Sequence, residues 1–188
     1  MIQQDEMKGG LKLQELVEVL GLTVVNKGTG YEEALVGIKD VNRPGLQLMG
    51  FFDYFDERRL QVIGMAETKM LESMDAEERT QRFARLFEYD IPALVVSRDL
   101  DIYPECLAMA RKHQRTLLHT TDTTVAFTTK VIEYLTHALA PTITRHGVLL
   151  DISGEGVLVT GDSGVGKSEA AIELVMRGHR LVADDAVD

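Results

Sequence analysis

One octapeptide narrows what this chain can fold into more than any other stretch of it. Gly161-Asp162-Ser163-Gly164-Val165-Gly166-Lys167-Ser168 fits the pattern Gly, four residues, Gly, Lys, Ser/Thr, the loop that wraps the phosphates of a bound nucleotide. Its glycines let backbone N–H groups turn inward around an anion, and the helix that follows adds its positive N-terminal end. The flanks agree. Val157 to Thr160 is a short apolar β-type run, and Ala170, Ala171, Leu174 and Val175 recur at helical spacing until Gly178. With glycine at ~7 % of residues, a chance match falls in roughly 1 % of chains this long or fewer. A Gly-rich turn that merely joins a strand to a helix does not require Lys and then Ser. The eight residues Gly161, Asp162, Ser163, Gly164, Val165, Gly166, Lys167 and Ser168 are therefore candidates for phosphate binding, with Lys167 on the outer phosphates and Ser168 as a ligand to Mg2+.

A second acidic feature lies 16 residues beyond Ser168. Leu181-Val182-Ala183 reads as a strand that delivers Asp184 and Asp185 at its carboxyl end, the edge at which ligands gather in α/β sheets. A carboxylate there can orient Mg2+ or accept a proton from an attacking hydroxyl. Successive strand residues face opposite ways, so the two aspartates are expected to divide these roles. His146, next to Gly147, reads alone as an ordinary residue at a strand entry, and His113, His119, His137 and His179 read the same way. Cys106 is the only cysteine, which excludes intrachain disulfides and a four-thiolate metal site. Its helical surroundings predict a buried thiol rather than a nucleophile.

The charge balance narrows the partners. A net charge of −10 with no Lys/Arg cluster to offset it disfavours polynucleotides. No run of 18 apolar residues predicts a membrane span, and Met1-Ile2-Gln3-Gln4-Asp5 lacks the basic and apolar regions of a secretion signal, so the expected location is the cytoplasm.

Along the chain, an amphipathic helix through Leu13, Leu16, Val17 and Leu20 stops at Gly21. Strands are predicted at 22–25, 35–38, 47–51, 60–63, 93–96 and 116–119. Helices are predicted from Asp75 to about Phe87, with Glu78 as capping-box partner, from Tyr103 to Lys112, and from Thr124 to Ala140. Alternating strands and helices predict an α/β domain with a largely parallel sheet. Leu46 to Phe55, with four aromatics, is expected to be core, with a partner surface as the alternative, and Arg79, Arg82 and Arg85 to line a solvated helix face. After Pro141 two apolar runs, 148–152 and 157–160, flank Ser153-Gly154-Glu155-Gly156 as in a hairpin. The boundary is placed near 138–142, giving an N-terminal α/β domain of unknown role over 1–138. Residues 139–188 are then the beginning of a P-loop domain, shorter than the ~100 residues of a typical complete one.

Taken together, these segments resemble bacterial HPr kinase/phosphorylase. The carrying residues are His146-Gly147-Val148, Gly161 through Glu169, and Arg177-Gly178-His179-Arg180-Leu181-Val182-Ala183-Asp184-Asp185, with Asn42-Arg43-Pro44-Gly45-Leu46-Gln47-Leu48 and Gln61-Val62-Ile63-Gly64 as less specific support. The resemblance implies phosphorylation of a serine in the phosphocarrier HPr from ATP or pyrophosphate, and reversal by inorganic phosphate, in carbon catabolite repression. It implies Mg2+ dependence, a homohexamer, and a catalytic domain similar to phosphoenolpyruvate carboxykinase. It also raises His146 to an active-site residue, makes Lys167 the catalytic lysine, and makes Asp185 the proton acceptor, with Asp184 the alternative. Further family residues, a metal-binding glutamate and a catalytic arginine, would fall beyond Asp188, so the chain alone is expected to be inactive. Two other readings stay open: a different P-loop small-molecule kinase, and a non-catalytic regulatory or assembly module.

Overall fold

A computed structural model describes residues 10–141 and 144–187. The stretch Met1–Asp5 and residue 142 of the expected boundary lie outside them. The chain divides into two compact units, 1–140 and 141–188.

The first unit runs β1 (Leu11–Lys12), α1 (Leu13–Val19), β2 (Thr23–Asn26), β3 (Leu35–Val36), β4 (Val41–Asn42), α2 (Gly45–Leu48), β5 (Leu60–Ile63), α3 (Met65–Glu72), α4 (Ala76–Phe87), β6 (Leu94–Val96), α5 (Pro104–Lys112), β7 (Leu117–His119) and α6 (Thr124–Ala138). Its main sheet has the order β2-β7-β6-β5-β4. The four strands β4 to β7 are parallel, and β2 closes one edge antiparallel to β7. The largely parallel α/β sheet is as the alternation of elements predicts.

A parallel sheet must be covered on both faces, and the side-chain period of two divides the strands accordingly. Leu60, Val62, Ala93, Val95 and Leu118 join Leu13, Leu16, Phe127, Val131 and Leu135 in one core. Ile63, Leu94, Val96 and Leu117 join Phe83, Leu86, Phe87, Cys106 and Ala110 in the other. Burial raises the Cys106 thiol far above the usual thiol range, consistent with a packing role. Among the described residues no helix is long and apolar enough to cross a membrane.

The structure corrects four local readings. Residues 45–48 form a helix where a strand at 47–51 is predicted: Pro44 precedes a single turn, and the buried Gln47 amide is satisfied by the segments on either side of it, accepting from Asn42 and donating to Phe51 O. Leu46 to Phe55 is not core throughout: Leu46, Met49, Phe51 and Tyr54 are exposed, while Phe52 stacks on Tyr89 at 4.9 Å. Asp75 caps α4 by accepting from Glu78 N, but the Glu78 carboxylate turns to Arg82. Arg79 is not on a solvated face; it donates to Glu105 (2.8 Å) and to Met74 O (2.6 Å) with its guanidinium over the Tyr103 ring.

The second unit contains β8 (Arg145–His146), β9 (Val148–Ile152), β10 (Glu155–Val159), α7 (Lys167–Met176), β11 (Arg180–Ala183) and β12 (Ala186–Val187). Ser153 and Gly154 are both at positive φ, as a two-residue hairpin turn of type I′ requires between β9 and β10. The sheet order is β10-β9-β11, with both outer strands antiparallel to β9. Val148, Leu150 and Ala171 form its core, whereas Val157, Leu158, Ile172, Val175, Leu181 and Val182 are exposed.

Candidate active site

The order β10-β9-β11 decides where chemistry can occur in this unit. Because β10 and β11 both oppose β9, they run the same way. The end of β10, which leads into the phosphate loop, and the end of β11, which delivers Asp184 and Asp185, therefore lie at one sheet edge. The beginning of β9, preceded by His146 and Gly147, lies at that edge too. A two-residue ladder ties it there: β8 pairs β12 with His146 opposite Ala186.

The three segments border a cleft of about 780 Å³ lined by His146, Asp184, Asp185 and every residue of the phosphate loop but Val165, which is exposed. Gly147, Val148 and Glu169 also line it. Gly147 and Glu169 carry no role in the phosphate-loop pattern, although Glu169 is an acid in the first turn of the loop's helix.

Within the loop, Gly164 and Gly166 sit at φ 79° and 96°, in the left-handed region, and Gly166 caps α7. A β-carbon at Gly164 would meet nothing within 4 Å, so that glycine answers to backbone conformation and not to crowding. Lys167 is the first residue of α7, and its Nζ donates to Gly161 O (2.7 Å) and Asp162 O (2.8 Å). Ser168 follows it at the helix start, where unpaired N–H groups face outward.

At the opposite wall Asp185 has φ 78°, a conformation uncommon for a residue with a side chain. Its peptide is held at both ends. The N–H donates to Asp184 Oδ1 (3.0 Å), and the carbonyl accepts from Gly147 N (3.3 Å) and from His146 Nδ1 (3.1 Å). A carbonyl can only accept, so Nδ1 of His146 carries the proton and Nε2 is left for another partner. The Asp185 carboxylate itself is 94 % exposed, with Oδ1 3.8 Å from His146 Nδ1.

Among the described residues, the cleft thus sets four carboxylates, Asp162, Glu169, Asp184 and Asp185, against the single ammonium of Lys167. Among the described residues no three His, Cys, Asp or Glu converge to hold a metal ion unaided. A divalent cation here would need phosphate and water oxygens beside Ser168 or an aspartate, the ligand set that suits Mg2+. The residues fit such an ion and fit an anion at the helix start.

Two family models match this chain in succession, "HPr Serine kinase N terminus" over residues 11–135 and "HPr Serine kinase C-terminal domain" over residues 137–188. The chain belongs to the HPr serine kinase family. Among curated members, the HPr kinase/phosphorylase of Alkaliphilus metalliredigens is 54 % identical over 154 residues, covering 82 % of this chain and 50 % of that protein. That of Clostridium tetani is 47 % identical over 179 residues, covering 95 % of this chain and 58 % of the relative. The chain therefore spans about half the length of the curated relatives it matches. Among solved structures, the CBS and DRTGG domains of a Clostridium perfringens pyrophosphatase overlap 66 % of the chain and 47 % of their own at TM-score 0.47 and 16 % identity, below the level that defines a shared fold.

Proposed function

We propose that this chain is the N-terminal portion of an enzyme that phosphorylates a serine of HPr from ATP or pyrophosphate and reverses the reaction with inorganic phosphate, controlling carbon catabolite repression. The observation that carries the reading is the meeting of the phosphate loop, Asp185 and His146 in one cleft. Membership of the HPr serine kinase family supports the substrate.

In the forward direction the loop amides and Lys167 hold the donor phosphates, and Asp185 takes the proton from the serine hydroxyl as its oxygen bonds to phosphorus. In reverse, Asp185 as the acid returns that proton to the serine oxygen while phosphate takes the phosphoryl group, forming pyrophosphate. His146, with its Nδ1 committed to Asp185 O, offers Nε2 to a phosphate oxygen or a water. Ser168 would hold Mg2+, which when bound supplies positive charge to the transferring phosphoryl group. Asp184 remains the alternative proton acceptor in this reading.

The same reading makes residues 1–138 an α/β domain of unassigned role and 139–188 the start of a P-loop catalytic domain similar to phosphoenolpyruvate carboxykinase. It places the protein in the cytoplasm as a homohexamer, with this chain inactive alone. The test is to incubate the complete gene product with HPr, Mg2+ and either ATP or pyrophosphate, and to locate phosphate by mass spectrometry. Phosphate on an HPr serine, removed again by excess inorganic phosphate, is expected. Unmodified HPr with both donors would end the proposal.

A further inference from the structure

We propose that Gly147 is a positioning residue of this cleft, whose missing side chain and peptide N–H together set the separation between the phosphate loop and Asp185. The inference rests on the kinase/phosphorylase reading above and names a residue that the reading does not use. Gly147 is buried between β8 and β9. A β-carbon on it would lie 2.7 Å from the carbonyl oxygen of Val159 and 3.1 Å from Leu158 Cδ1. The first contact is with backbone and cannot be relieved by a rotamer change. Val159 is the last residue of β10, two before the loop begins at Gly161, so whatever displaces it displaces the root of the loop.

On its other side the Gly147 N–H donates to Asp185 O at 3.3 Å. One residue therefore bonds the wall that carries Asp185 and leaves no room for a side chain toward the wall that carries the loop. Gly147 is not among the glycines at positive φ, so the position asks for space and not for a glycine-only conformation. A methyl group there acts as a wedge between the phosphate-binding wall and the proton-accepting wall, while removing no side chain of the site. Reactions that depend on alignment lose about a hundredfold from a displacement of about 1 Å.

The experiment compares the complete gene product with its Gly147→Ala and Gly154→Ala variants in both reaction directions. Gly154 lies at the hairpin tip at φ 90° with open space around it, so its substitution costs stability without touching the cleft. For Gly147→Ala, kcat should fall about tenfold to hundredfold both ways, with KM for pyrophosphate and the Mg2+ requirement within about threefold. Gly154→Ala should keep the wild-type kcat below its melting temperature. A wild-type kcat in Gly147→Ala, or an equal loss in Gly154→Ala, would overturn the assignment. If Gly147→Ala does not fold, adding Leu158→Ala removes the 3.1 Å contact and keeps the carbonyl clash, and the same loss of kcat is expected. Should the wild-type product phosphorylate no HPr, the functional reading fails by itself, and amide chemical shifts of this chain decide the positioning role. Gly147→Ala should then move the amides of residues 161–168 and of Asp185 together, and shifts confined to 146–148 would refute it.

Discussion

The Nδ1 of His146 donates to the main-chain carbonyl of Asp185 across 3.1 Å, joining two residues 39 positions apart at the edge where the phosphate loop begins. The bond fixes the backbone of Asp185 and leaves its carboxylate free to accept a proton. Replacing Asp185 by Asn keeps the shape and removes the base. In the complete gene product both phosphorylation and phosphorolysis should slow together, by about a hundredfold to ten-thousandfold, since one group serves both directions. Pyrophosphate affinity should change far less. Rates for Asp184→Asn measured beside it, with added Mg2+, separate a base from a metal ligand: only the ligand variant should recover in part. Near wild-type rates for Asp185→Asn would move the proton role to Asp184.

Lys167 bonds two carbonyls of its own loop, Gly161 O and Asp162 O, and among the described residues it is the one Lys or Arg lining the cleft. Lys167→Ala should weaken pyrophosphate binding by this chain. One charge-assisted contact is worth roughly 1.5–3 kcal/mol, or about a tenfold to hundredfold loss in affinity. Calorimetric titration of both proteins is the check, and superimposable curves would show that the loop does not bind phosphate through this residue.

The apolar clusters of the first unit draw only on residues from Leu11 to Leu139, and that of the second only on residues from Val148 to Leu174. A protein ending at Ala140 should therefore keep a single cooperative unfolding transition in denaturant. Within it, Phe127→Ala removes a fully buried ring and should cost about 3–5 kcal/mol. Denaturant unfolding of the truncated protein measures both, and a broad, non-cooperative transition on truncation would contradict the division.

Glu105 provides a pH test. The hydrogen bond from Arg79 holds its carboxyl below the ordinary carboxylate range. A carboxyl depressed in the folded state adds stability that is present above its unfolded value near ~4.3 and is lost as pH falls through the lower folded value. The wild-type melting temperature should drop over that acid window. Glu105→Gln should lower the melting temperature at neutral pH, because Arg79 loses its partner, and should flatten the acid limb. An unchanged acid slope in the variant would assign the pH dependence to other carboxylates.

The parts of this molecule that were legible in the sequence are those with one dominant local cause. Leu60–Ile63 and Leu94–Val96 are short apolar runs between polar segments, and they are buried strands. The phosphate loop announces itself by glycines that take positive φ and by the strand and helix around it. Helix α3 was missed because its buried positions, Glu67, Thr68 and Leu71, include an acid, and because its cap is a glycine whose N–H is satisfied by Glu67 (2.9 Å) where a Ser or Asp would have given a signal. The strand expected at 47–51 failed because Leu46 and Leu48 imitate a period of two, although only Leu48 faces the core. His146 was unreadable from its neighbours alone. Its partner arrives through pairing of two-residue strands, too short to leave a periodic pattern.

In the second unit, β9 carries neither the phosphate loop nor an aspartate of the cleft, yet its neighbours take their register from it. Deleting one residue between Val148 and Ile152 would turn Leu150 toward solvent and slide β10 and β11 along their common ruler. Lengthening the turn at Ser153-Gly154, at the far end, would leave the meeting of loop and carboxylates intact. The least reactive strand of the unit is thus the one with the narrowest tolerance for a change in length.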